Sequence, residues 1–127
     1  MAKHVVLSPD APAPVGPYSQ GIRAGDLVFV AGQLAIDPAT GAMPADIAEQ
    51  TRLALANVRA VVGAAGGSLA DVVKTTVFLT DLGDFGAMNA VYATFFAEQP
   101  PARACVEVAR LPKGARVEIE AIAAIGH

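Results

Sequence analysis

The sequence predicts an α+β fold, an α/β two-layer domain with one mixed sheet of about six strands and two helices on one face. Three observations predict it. Residues 46–65 and 84–96 carry apolar side chains at helical spacing. Short β-branched or alternating segments precede, separate and follow them. The chain has 127 residues, 54% hydrophobic and 17% charged, enough for one core and too few for two, so residues 1–127 are read as a single domain.

Residues 9–17 hold four prolines, which keep this stretch extended and out of helix. The stretch ends in Gly16-Pro17-Tyr18-Ser19-Gln20-Gly21, a turn. Ile22 then leads into Ala24-Gly25-Asp26 and Leu27-Val28-Phe29-Val30-Ala31-Gly32, where Gly25-Asp26 suits a tight turn between two strands. Pro38-Ala39-Thr40-Gly41 is another turn. In the first helix Ile47, Thr51, Leu55, Val58 and Val62 form one stripe, and Glu49, Arg52, Ala56 and Arg59 another. Asp46 can cap its start, and Gly66-Gly67 stops it. Residues 72–79 are short and β-branched, hence a strand. The second helix places Phe85, Met88, Tyr92, Phe95 and Phe96 on what reads as its core face, and Pro100-Pro101 ends it.

Residues 103–109 and 116–125 are the last two strands. In the latter, Val117, Ile119, Ala121, Ala123 and Ile125 share one side; Arg116, Glu118, Glu120, Ile122 and Ala124 share the other. The order is therefore β-β-β-α-β-α-β-β. Strands separated by helices imply parallel pairs, and the two adjacent final strands most simply pair as a hairpin. With both helices on one side, the other sheet face needs a cover, which packing between copies of the chain supplies at least cost.

The formal net charge is −3, which leaves no electrostatic footprint for nucleic acid. No apolar run is long enough to span a membrane, and the apolar stretch after Met1 is too short for a signal peptide. A single cysteine forms no intrachain disulfide, which fits a reducing, cytoplasmic setting. Glycine-rich phosphate loops are absent, and His4 and His127 stand at opposite ends, so neither a metal site nor a histidine-based nucleophile system is expected. Chemistry must come from carboxylates, arginines and backbone groups.

Arg103, Cys105 and Glu107 project to one side of their strand. Arg103 is either a solvated edge charge or a clamp for a carboxylate, which its planar guanidinium can grip with two hydrogen bonds. Glu118 and Glu120 share one face of the most apolar strand. They either pair with Arg103, Arg110 or Arg116, or one of them does acid–base work at a partly dehydrated site. Cys105 reads as a small core side chain rather than a nucleophile. Tyr18 is a core ring or a hydroxyl offered to a ligand, and Asn89 lies beside the aromatic stripe.

Gly16-Pro17-Tyr18-Ser19-Gln20, Ala31-Gly32-Gln33, Val77-Phe78-Leu79-Thr80-Asp81, Asn89-Ala90-Val91-Tyr92, Pro101-Ala102-Arg103-Ala104-Cys105-Val106-Glu107-Val108, Leu111-Pro112 and Val117-Glu118-Ile119-Glu120-Ala121 together resemble the YjgF/Rid family, most closely its RidA branch. The resemblance covers about residues 16–124. It implies a chorismate mutase-like sheet, with the last strand inserted between strands 27–33 and 72–80 rather than paired as a hairpin. It also implies a homotrimer closed into a barrel, with active sites between subunits. The implied activity is cofactor-free, metal-free hydrolysis of 2-imino acids or their enamine tautomers, leaked from pyridoxal-phosphate enzymes, to 2-keto acids and ammonia. By the same resemblance Arg103 grips the substrate carboxylate and Glu118 activates water and then protonates departing ammonia. Tyr18, Ala31, Gly32, Asn89 and Cys105 line the cleft, Gly32 and Cys105 through backbone groups. Ala31 stands where some members carry a hydroxyl residue, and Ala104 where Ser or Thr is common. A non-catalytic trimer that binds small carboxylates, or acts as a chaperone, is the rival reading.

Overall fold

Glycine geometry sets the first turns. Gly25 has φ +60°, a left-handed conformation that costs glycine little, and it joins β2 (Gly21–Ala24) to β3 (Leu27–Leu34). Gly41 has φ +78° and closes the next turn by donating its N–H to the Asp37 carbonyl at 2.8 Å. A computed structural model describes residues 2–125; His127 lies outside them. Its remaining elements are β1 (Lys3–Val6), α1 (Ile47–Ala64), β4 (Val72–Leu79), α2 (Phe85–Phe95), β5 (Ala102–Glu107) and β6 (Val117–Ala124). Asp46 caps α1 as expected, its carboxylate accepting from the Glu49 N–H at 3.0 Å. None of the helices is long and apolar enough to cross a membrane, among the described residues.

The strand order is β1-β2-β3-β6-β4-β5. The last strand does lie between β3 and β4, antiparallel to both, so the local hairpin expectation gives way to the inserted arrangement. β4 and β5, joined through α2, run parallel, as a helical crossover requires. β3 and β4, which flank α1, are not neighbours; β6 separates them. The core lies between the sheet and the two helices. Val28 and Val30 of β3, Thr75, Val77 and Leu79 of β4, and Val117, Ile119, Ala121 and Ala123 of β6 are buried there, against Ala54, Leu55, Val58, Val61 and Val62 of α1. The stripe read in the first helix is its buried face.

The second helix departs from its expectation at one end. Met88, Tyr92 and Phe96 are buried, but Phe85 is 37% exposed. It has turned from the core toward Arg103. The opposite sheet face alternates with the core face and carries Leu27 and Phe29, both substantially exposed, together with Glu118 and Glu120.

Two polar side chains fasten loops to this frame. Gln20 is buried; its Oε1 accepts from the Ser8 N–H at 2.6 Å, and its Nε2 donates to the carbonyls of Ser8, Ala11 and Pro12 at 3.1, 3.2 and 2.8 Å. The proline-rich segment is thus held by one amide. Asn57 of α1 donates to the carbonyls of Leu34 and Ile36, each at 3.0 Å, and fixes the end of β3.

Candidate functional site

The register between β3 and β6 slips between Val30 and Gln33. Val30 faces Ala121 and Gln33 faces Ile119, so β3 carries one residue more than its partner at Ala31-Gly32. Such a bulge re-aims backbone and side chains locally. Here it brings Gly32 against Glu118: a Cβ on Gly32 would stand 2.8 Å from both Cδ and Oε2 of that carboxylate. Only glycine leaves Glu118 this position. The Ala31 N–H is tied to the Gln20 carbonyl at 2.8 Å, which couples the bulge to the N-terminal strap.

Glu118 lies in a cavity of about 350 Å³ whose lining includes Tyr18, Ala31, Gly32, Leu34, Lys113 and Glu118. Prolines, aliphatic side chains and the two amides Gln20 and Gln33 supply the rest of the wall. Tyr18 is half exposed at the rim, and its hydroxyl accepts from the Val15 N–H at 3.4 Å. Among the described residues the Glu118 carboxyl has no ion-pair partner, so of the two alternatives the sequence left open, pairing with an arginine does not occur within the chain. Arg116 is bound instead to Asp84 through both carboxylate oxygens, at 2.9 and 3.0 Å. Burial pushes the Glu118 pKa above the usual carboxylate range, and the neighbouring Glu120 charge pushes it further. A carboxyl so placed holds its proton more readily than an ordinary surface glutamate does.

Arg103 stands on the other side of the sheet. It pairs in register with Thr75 of β4, and the Thr75 side chain meets the Tyr92 hydroxyl of α2 at 2.6 Å, on the helix side. Glu118 pairs with Phe78, whose side chain alternates to the opposite face. Arg103 Nη1 donates to Asn89 Oδ1 at 2.6 Å, and its Cζ lies 4.7 Å from the Tyr92 ring centroid and 5.4 Å from that of Phe85. It has no carboxylate partner among the described residues. Cys105, two residues along the same face, packs against the core, and burial pushes its thiol up, partly countered by the Arg103 charge. That thiol is not activated.

The expected site residues therefore fall into two groups. Tyr18, Ala31, Gly32 and Glu118 share one cavity. Arg103 and Asn89 form a second cluster, with Cys105 beside it, and one chain does not bring the two together. Sequence reasoning missed Phe85 and Tyr92 as companions of Arg103. With Asn89 they stand at i, i+4 and i+7 on α2, one face by helical geometry, and the polar member of that otherwise apolar face was the available signal. Glu107 has a local use: its carboxylate accepts from the Leu82 N–H at 2.9 Å.

A mixed sheet with two helices on one side is the fold of YjgF/RidA type, and on it this chain carries an unpaired carboxyl beside a bulge glycine and, on the opposite face, an arginine with no carboxylate partner among the described residues. The chain belongs to that family: the endoribonuclease L-PSP family matches residues 8–125. It is 52% identical over 121 residues to the 2-iminobutanoate/2-iminopropanoate deaminase of Escherichia coli K12, covering 93% of this chain and 94% of that protein. It is 55% identical over 122 residues to a RutC family protein of Pyrococcus horikoshii, covering 95% and 97%. The crystal structure of E. coli TdcF with bound serine superposes with a TM-score of 0.93 at 49% identity, covering 95% of this chain and 98% of that one.

Proposed function

We propose that this protein hydrolyses 2-imino acids, 2-iminobutanoate and 2-iminopropanoate among them, to 2-keto acids and ammonia in the cytoplasm. It works as a homotrimer whose sites lie at the subunit seams. The observation that carries the proposal is the pairing of two incomplete halves. The Glu118 cavity holds an acid with no ion-pair partner and no arginine among its described lining residues, and the Arg103 cluster holds a cation without an acid, on opposite faces of one sheet. A substrate whose carboxylate is bonded directly to its imine carbon needs both at once, so a second copy must supply the missing half.

In this arrangement Arg103 receives the carboxylate in a charge-assisted, in-plane pair. Water beside Glu118 attacks the imine carbon as the carboxylate takes one of its protons and passes it to the imine nitrogen, which gives a tetrahedral carbinolamine. Glu118 then takes the second proton, from the carbinol hydroxyl, and passes it to the amine nitrogen; the C–N bond breaks, the C=O double bond forms, and ammonia leaves. A raised pKa suits a group that must both take and give a proton. The imine carbon is electrophilic as bound, so positioning and one proton shuttle carry the reaction. Cleaving RNA would need an array of cations along a phosphate backbone, whereas among the described residues Lys113 is the one cationic side chain lining the cavity.

The test is a coupled assay in which an amino-acid oxidase generates the imine and semicarbazide traps what remains. Purified protein should suppress semicarbazone formation, and Arg103→Ala or Glu118→Gln should abolish the effect with the fold intact. Unaltered imine loss in the presence of the wild-type protein would refute the assignment.

A further inference from the structure

Three side chains outside the assigned catalytic pair converge on Arg103. Cζ stands over the Tyr92 ring at 4.7 Å and over the Phe85 ring at 5.4 Å, and Nη1 is bound to Asn89 at 2.6 Å. Tyr92 is itself anchored: it is buried, and its hydroxyl shares a 2.6 Å hydrogen bond with the fully buried Thr75. Thr75 is the β4 residue directly opposite Arg103. The strand that carries the arginine is thus tied, through its neighbour, to the ring beneath the guanidinium. A free arginine samples many rotamers, and ordering it on binding costs affinity.

We infer that Tyr92, locked by Thr75 and assisted by Phe85, is a positioning residue that preorganises Arg103 for its carboxylate ligand and leaves the Nε–Nη2 edge as the docking edge. With Nη1 engaged by Asn89, the Nε and Nη2 donors have no partner among the described residues. That edge has the spacing for a bidentate carboxylate. The exposed position of Phe85 has the same explanation: the ring forgoes the core to lie against a cation, an arrangement favoured by the charge distribution of the aromatic face.

This inference rests on the imine-hydrolase assignment for its kinetic readout, and a binding readout separates the two. Tyr92→Leu should raise KM about tenfold and weaken 2-oxobutanoate binding in calorimetry by a similar factor, with kcat changed less than about twofold. Tyr92→Phe keeps the ring and should stay within about threefold of wild type in KM. Phe85→Leu, at an exposed position that the fold hardly uses, should raise KM about threefold with an unchanged melting temperature, so the test stands even where Tyr92→Leu fails to fold. Unchanged KM and 2-oxobutanoate affinity in Phe85→Leu and in folded Tyr92→Leu would overturn the positioning role while leaving the hydrolase assignment intact. Wild-type protein that binds 2-oxobutanoate without accelerating imine loss would overturn the hydrolase assignment, and loss of binding in these variants would still support the positioning role. Wild-type protein that does not bind 2-oxobutanoate would overturn both.

Discussion

Arg103→Ala and Glu118→Gln, each inactive alone, should restore activity when the two variants assemble together. The expectation follows from strand order and alternation. β4 lies between the strands that carry these residues, which pair with Thr75 and Phe78, three residues apart along it, so their backbones are about 14 Å apart, two strand spacings across and three residues along, and their side chains leave opposite faces. No molecule with carboxyl and imine carbons directly bonded reaches both within one chain. Each single substitution should lower kcat/KM by about 10²–10⁴-fold, from the lost charged pair or the lost proton shuttle. In a random equal mixture, a seam that takes its acid from one copy and its arginine from the next has an intact pair in about one quarter of cases, and in purified mixed trimers in about one third. Co-expression with two different affinity tags, sequential purification of mixed oligomers and the semicarbazide assay would measure this. Mixed oligomers as inactive as their parents would refute the shared-seam reasoning, because a site contained in one chain cannot be rebuilt from two damaged chains.

Further expectations concern the carboxyl and its supports. Gly32→Ala places a Cβ 2.8 Å from the Glu118 carboxylate; that flexible group swings away, so kcat should fall about tenfold while stability changes by less than about 1 kcal/mol, as activity and thermal melts would show. Glu120→Gln removes one of the two causes that raise the Glu118 pKa, so the acidic limb of the kcat/KM profile should move to lower pH. Glu118 has a native pKa above its unfolded value, so the folded state binds the extra proton and stability declines as pH rises between the two. Glu118→Gln should therefore melt higher than wild type at neutral pH, with the difference closing as pH falls to the unfolded carboxylate value, about 4.3. Gln20→Ala removes all four hydrogen bonds that hold the proline-rich strap. It should cost about 2–4 kcal/mol and expose residues 9–17 to limited proteolysis.

The local structure was legible because it depends on residues close in the chain. The stripe from Ile47 to Val62 needs only a helical period, the Asp46 cap only the residues after it, and the alternation in β6 only a period of two. The position of β6 was legible through resemblance alone. By contiguity it belongs beside β5; it sits between β3 and β4 because that placement buries Val117, Ile119, Ala121 and Ala123 beneath α1. The bulge at Ala31-Gly32 could not be read either. It is a mismatch between two strands more than eighty residues apart along the chain, and neither strand shows it alone. Nor could the departure of Phe85 from its helix's core face be foreseen, since its reason, Arg103, lies on another element.

The amino-acid order alone determined which residues could carry the chemistry: an arginine and two acids in strands, in a chain poor in histidine and with one cysteine. It also determined, strand by strand, which side chains travel together. The tertiary structure decided how those separate alternations align. Register with β4 sends Arg103 toward the helices and Glu118 away from them, and a one-residue slip would have reversed either choice. The phase between two strands is set by packing across the sheet, which no single strand's sequence contains.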